Sequence, residues 1–178
     1  MARAATVRLA PRPGTDVALL NGLLLPELHQ NENDLAHELL RVSERHKVGH
    51  EIHHVARGLA RWSQRHVRTI ADIGERFGTR LGPDPVDEPK TAERLRDEAS
   101  ELVGRKPQVA LLLLRDLREI YVKAAGLPVD GEMLAQAAQG LKDTELLTTV
   151  QSCHPDALRR MRWANAKPQE SSAQVLVS

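Results

Sequence analysis

From Asn31 to Phe77 the apolar residues of this chain return at steps of three and four, with histidines set among them. One seam runs Leu35, Leu39, Val42, His46 and Gly49, with Ile52, His53 and Ala56 after it. A second runs Leu59, Trp62, His66, Ile70, Ile73 and Phe77. That period gives an α-helix one buried stripe and does not suit a strand. A single helix over the whole span would far exceed the usual roughly 8–20 residues. The two seams differ in phase, and Gly58 lies between them. The pattern therefore predicts a helical hairpin turning near Arg57–Gly58. Lys47–Gly49 is the competing turn, with Gly49 as a left-handed helix-ending residue.

The turn decides what the histidines can do. His46, His50, His53, His54 and His66 are five of the eight in the chain. A turn at 57–58 brings His66 level with Gly49 and His50, so that imidazoles converge in one interior layer. A turn at Gly49 leaves His46 and His50 at the loop and His66 far away.

Composition narrows the class. With 178 residues one domain is the natural size, and a sizeable core can be buried. Phe, Tyr and Trp total four residues, which suits a Leu- and Ala-rich helical bundle and not a β-sandwich. A net charge of +1 supplies no field to steer the chain toward nucleic acid or acidic lipid. Cys153 is alone, so an intrachain disulfide or a multi-cysteine metal site is excluded, and a reducing compartment suits it. The longest apolar run, Val109–Leu114, is too short to span a bilayer, and the N-terminus has no apolar signal core. The expectation is a soluble cytoplasmic protein without membrane or nucleic-acid contacts, working as a homo-oligomer or with a protein partner.

Residues 1–30 carry Pro11, Pro13, Gly14, Gly22 and Pro26 and predict an irregular N-terminal segment. After the hairpin, Gly82 through Pro89 must be a loop. A short helix is expected from Thr91 to Val103, and a longer one from Pro107 to about Ala125 that stops at Gly126-Leu127-Pro128. Asp130 to Ala138 reads as a further short helix closed by Gly140. Asp143 caps the last helix. Its seam (Leu147, Val150, His154, Ala157 or Leu158, Met161, Asn165) keeps phase through Pro155, and Pro168 ends it. Residues 168–178 read as a flexible tail. Four long helices over 31–167 make an all-α, antiparallel four-helix bundle with additional short helices the economical fold.

The run Leu59-Ala60-Arg61-Trp62-Ser63-Gln64-Arg65-His66-Val67 resembles the second helix of small, uncharacterised bacterial members of the ferritin-like superfamily. By helix layout the resemblance covers residues 32–167. It implies a ferritin-like bundle and a place inside it where metal would sit. Separately, the run from Arg12 to Gly22, with Pro13-Gly14-Thr15-Asp16 at its centre, is similar to a turn beside the pterin in molybdopterin-dependent oxidoreductases. It implies the alternative that this chain is a fragment or relative of such an enzyme.

No catalytic motif is complete. Di-iron bundles use a Glu from each of two helices and Glu-x-x-His from each of the other two. Ser63 precedes His66 by three and Gln151 precedes His154 by three; neither is a carboxylate. Asp116 and Glu119 have no histidine near them in sequence. The one literal match is Glu51-Ile52-His53-His54. A single transition-metal ion (Zn, Fe, Ni or Cu) has candidate ligands in His50, Glu51, His53, His54 and His66. Against that stands a plainer reading: His46 and His53 as hydrogen-bonded interior or boundary groups, His50 and His54 as solvated. Several histidines in one layer would also form a proton switch. Arg57, Arg61, Arg65 and Arg68 read as a solvated helix face, and Cys153 as an inert buried thiol. The reading is a non-catalytic helical bundle, with one metal ion on a histidine layer as its possible ligand.

Overall fold

The computed structural model describes residues 20–85 and 106–176, with the backbone alone at 21, 106, 107, 171 and 173–176. A π-helical turn, Leu20–Leu24, leads into α1 (Leu25–Arg45); α2 (His50–Arg76), α3 (Lys106–Leu141) and α4 (Thr144–Leu176) follow. The fold is all-α, and among the described residues there is no strand. The expected short helix at 91–103 and most of the 12–22 run lie outside the described residues.

The hairpin forms, but its turn is at His46–Gly49 and not at Arg57–Gly58. Ser43 meets His53 and Glu32 meets His66 across it. The reason lies in the phase of the buried face of α2. Ile52, Ala56, Leu59, Ser63, His66, Ile70 and Ile73 are one uninterrupted stripe at steps of four and three. Gly58 sits off that stripe with open space around it, so it costs only its helix propensity, about 1 kcal/mol. The break in phase is between Gly49 and Ile52. Its partner face on α1 is Leu25, Leu28, Glu32, Leu35, Leu39, Val42 and His46.

At the other end of α2, Gly78 takes φ +80°, and Thr79 N–H and Gly78 N–H return to the carbonyls of Gly74 and Glu75. That pair of bonds caps the helix with a left-handed residue only glycine adopts freely. Gly74 is needed as well: a Cβ there would meet the Thr79 carbonyl oxygen at 2.9 Å.

Two breaks expected from proline do not occur. α3 runs through Gly126-Leu127-Pro128, and α4 runs through Pro168 as well as Pro155. An interior proline costs about 3 kcal/mol. In α3 the stripe Leu117, Ile120, Ala124, Leu127, Leu134 and Ala138 is buried on both sides of Pro128. At about 1.5–3 kcal/mol for each fully buried large side chain, Leu127 and Leu134 outweigh the lost bond. Asp143 caps α4 as expected, accepting from Leu146 N–H at 2.9 Å. That bond, more than the Arg76 guanidinium 2.9 Å away, holds its carboxyl below the usual range.

The pairs α1–α2 and α3–α4 pack most extensively, and α1 joins them through α3. Arg45 meets Asp116 and Asn31 meets Asp130 between α1 and α3. Arg65 meets Asp156 and Arg76 meets Asp143 between α2 and α4. The face of α4 that turns inward is Leu146, Val150, Ala157, Arg160 and Ala164: Val150 and Ala157 are as expected, while Leu146, Arg160 and Ala164 take the places expected of Leu147, Met161 and Asn165. That rotation carries an arginine into the core. None of the described helices is long and apolar enough to cross a membrane.

Candidate functional site: a buried Glu–His–Arg layer

The stripes of α1, α2 and α4 each contribute a polar residue at one level. Glu32 is 2 % exposed, Ser63 and Arg160 are fully buried, and His66 is nearly so. The Arg160 guanidinium grips the Glu32 carboxylate as a fork, Nη1 to Oε2 at 2.6 Å and Nη2 to Oε1 at 2.7 Å, while Nη1 also donates to Ser63 Oγ. His66 Nδ1 donates to the same Oε1 at 2.8 Å. Two parallel charged hydrogen bonds are the strongest geometry a carboxylate and a guanidinium can adopt. Burial works against the Glu32 carboxylate, yet the bonds and charges of His66 and Arg160 win and hold its pKa below the usual carboxylate range.

Cys153 is a further hydrogen-bond partner of His66, and Asp156 Oδ2 lies 3.8 Å from its Nε2. Burial alone would lower the imidazole. The bonds to Cys153 and Glu32 and the Glu32 charge outweigh burial and the opposing Arg160 charge, and push His66 up to about 9. That value makes it an imidazolium at neutral pH, with Nδ1 donating to Glu32. The order Cys153, His66, Glu32 is that of a nucleophile, its base and an orienting carboxylate. The cleft beside them, lined in part by Thr69, Thr149 and His154, holds about 40 Å³. That admits a water or two, where substrate pockets run to roughly 300–1,000 Å³. A protonated imidazole with a pKa near 9 is also a poor base at pH 7.

The five metal candidates do not share a layer. His50 and His54 are exposed and touch each other, Nδ1 to Nε2 at 3.2 Å. His53 is half-buried and bonded to the hydroxyl and carbonyl oxygens of Ser43. Glu51 points outward to Lys167. His66 lies sixteen residues further along the same helix as His50, about 24 Å away. With the turn at His46–Gly49, no folding-back brings them together. Among the described residues, no group of three or more His, Cys, Asp or Glu side chains could hold a metal ion.

A second polar cluster sits near the α1–α2 turn. Asp116 of α3 accepts from Arg45 at 2.9 and 3.1 Å, from Arg41 at 3.4 Å and from His46 at 2.9 Å. Burial raises the Asp116 carboxyl, but the His46 bond and the two guanidinium charges leave it lowered. The basic stripe of α2 is partly engaged, with Arg57 on Glu44 at 2.9 Å and Arg65 on Asp156 at 3.3 Å.

Arg160 and its contact with Glu32 carry no sequence signal, because polarity argues for placing an arginine outside. Only Glu32 at a core position of the α1 stripe, spaced three from Leu35 and four from Leu28, hints that a cation must come to meet it. No family model, no curated protein and no solved structure matches this chain.

Proposed function

We infer that this chain is a non-catalytic bundle of ferritin-like topology, one whose central layer is closed by its own guanidinium in place of metal ions. Three directions of contact support the topology. Ser43–His53 with Glu32–His66 runs α1 against α2, Asn31–Asp130 with Arg45–Asp116 runs α1 against α3, and Arg65–Asp156 with Arg76–Asp143 runs α2 against α4. α2 and α3 then point the same way and need one long crossover between them, the connection that distinguishes ferritin-like bundles.

The donor set argues against metal in that layer. A di-iron site needs several carboxylates to balance two dications. Here Ser63 and His66 stand at the Glu-x-x-His spacing with a hydroxyl where the carboxylate would be, and Glu32 is the acid that both Arg160 and His66 hydrogen-bond. Arg160 already saturates both of its oxygens, and that contact is the observation on which the reading rests. A cation arriving there would face a guanidinium and an imidazolium. Elemental analysis of protein purified without a His tag tests this. Substoichiometric metal and a melting temperature unmoved by chelator are expected. Stoichiometric iron or zinc that is lost in His66→Ala would contradict it.

A second reading keeps a metal at the surface. His50 and His54 at i, i+4 can chelate one Zn, Ni, Cu or Fe ion from a single helix. Titration with Zn²⁺ and Ni²⁺, followed by calorimetry, should show one weak site that disappears in His50→Ala. Binding that survives that substitution would remove this reading.

A further inference from the structure

The outward face of α3 is built to receive another helix. Val122, Gly126, Val129, Met133, Ala137 and Gly140 follow one another at steps of four, three, four, four and three. Leu111, Val122, Val129 and Met133 are each about half exposed, at 49–57 %. Nothing lies within 4 Å of a Cβ placed on Gly126 or Gly140. A solvated helix face carries charges in such places; from Val122 to Gly140 this one carries apolar and small residues, the pattern of a helix–helix seam, and Arg118 and Arg115 lie on its continuation toward Leu111. At the C-terminal end of the face, Met133, Gly140 and Leu141 together with Leu20, Leu23 and Leu24 line an apolar groove of about 380 Å³.

We propose that a second copy of this chain packs on that face, α3 against α3 in antiparallel sense with Gly126 at the two-fold axis. It rests on the reading of the chain as a non-catalytic bundle and names that bundle's partner. The choice of occupant comes from self-complementarity. In that register Val122 of each copy lies level with Val129 and Asp130 of the other. Lys123 then faces Asp130 on one flank, and Arg118 comes near Glu132 on the other, so the basic first half of the helix meets the acidic second half twice over. Leu111 falls level with Leu141, which places one copy's exposed leucine at the other copy's apolar groove. An isologous pairing uses each of these contacts twice. The missing side chain of Gly126 lets the two backbones approach at the axis. A parallel arrangement would set Lys123 beside Lys123 and leave both grooves without a leucine.

Sedimentation velocity on the full chain from about 1 to 100 µM tests the proposal, a range that brackets micromolar association. The expected mass is twice 19.8 kDa at the upper end. Val129→Glu with Met133→Glu should weaken association at least tenfold with unchanged helical circular dichroism. Register is read in a Cys153→Ser background. Val122→Cys and Val129→Cys chains should cross-link when mixed and oxidised, and neither should cross-link with itself. The charge reversal Lys123→Glu should weaken association, and adding Asp130→Lys should restore it. A monomer at every concentration, a dimer indifferent to Val129→Glu with Met133→Glu, or self-cross-linking of Val122→Cys alone would overturn the proposal. So would a dimer formed only after removal of residues 1–19. Metal content is a separate readout, so loss of this proposal leaves the central layer's reading to its own test.

Discussion

Two clusters in this molecule use nearly the same parts. Each has one carboxylate, one histidine and arginine: Glu32, His66 and Arg160 in the centre, and Asp116, His46, Arg45 and Arg41 near the first turn. They differ in where the cation ends. Arg160 is wholly enclosed, whereas Arg41 reaches water and shares itself with Glu38. Composition therefore does not set the energetic role of an ion cluster; the access of its cation to solvent does. In the centre, removing one partner strands a charge in the core. Near the turn, water and a second guanidinium take up the loss.

The largest expected effect follows directly. Arg160→Met should destabilise the fold by about 3 kcal/mol, near the lower end for a broken buried pair because His66 still binds Glu32. Chemical denaturation measures it; a loss below 1 kcal/mol would show that the layer is wetter than its burial implies.

The next effect separates the clusters by pH. His66 is raised from 6.5 to about 9, so its contribution is complete below the lower value and disappears as pH rises through the upper one. That difference corresponds to about 3 kcal/mol. Glu32 is shifted the other way, so its share is present above the ordinary carboxylate range and falls away in acid. Stability should therefore peak between about pH 5 and 7 and decline toward pH 9. In His66→Gln the alkaline decline should vanish. A flat profile from pH 6 to 10 in the wild type would contradict the assignment.

The smallest effect belongs to Arg41, the cation of the second cluster that reaches water most. Arg41→Ala should cost about 1–2 kcal/mol, less than Arg160→Met, since Arg45 and His46 keep Asp116 paired while the buried Glu38 carboxylate loses its guanidinium. A loss equal to that of Arg160→Met would erase the distinction between the two clusters.

What could be read from the sequence follows the same division. The apolar steps of α1 and α2 announce helices because burial of Leu, Ile and Val is what those steps encode, and Asp143 announces its helix start by the chemistry of a cap. The turn is misplaced at Gly58 because a glycine off the buried stripe weakens a helix by less than the stripe's burial stabilises it. The breaks at Gly126-Leu127-Pro128 and Pro168 fail similarly, since local penalties lose to tertiary packing. Arg160 is the deeper case. Its inward position depends on a carboxylate 128 residues earlier in the chain, and no local pattern contains that contact. Once α4 is rotated to admit it, Cys153 comes beside His66, a pairing equally invisible from spacing.

A double-mutant cycle between Glu32 and Arg160 tests the central claim most directly. Glu32→Gln, Arg160→Met and the pair of changes together are compared with the wild type by denaturant unfolding at pH 7. If the two groups neutralise one another in the core, each single change is costly, the double variant recovers much of the loss, and the coupling exceeds about 2 kcal/mol. Losses that add to within about 0.5 kcal/mol would mean the guanidinium and the carboxylate are not partners, and that the layer is held by something else.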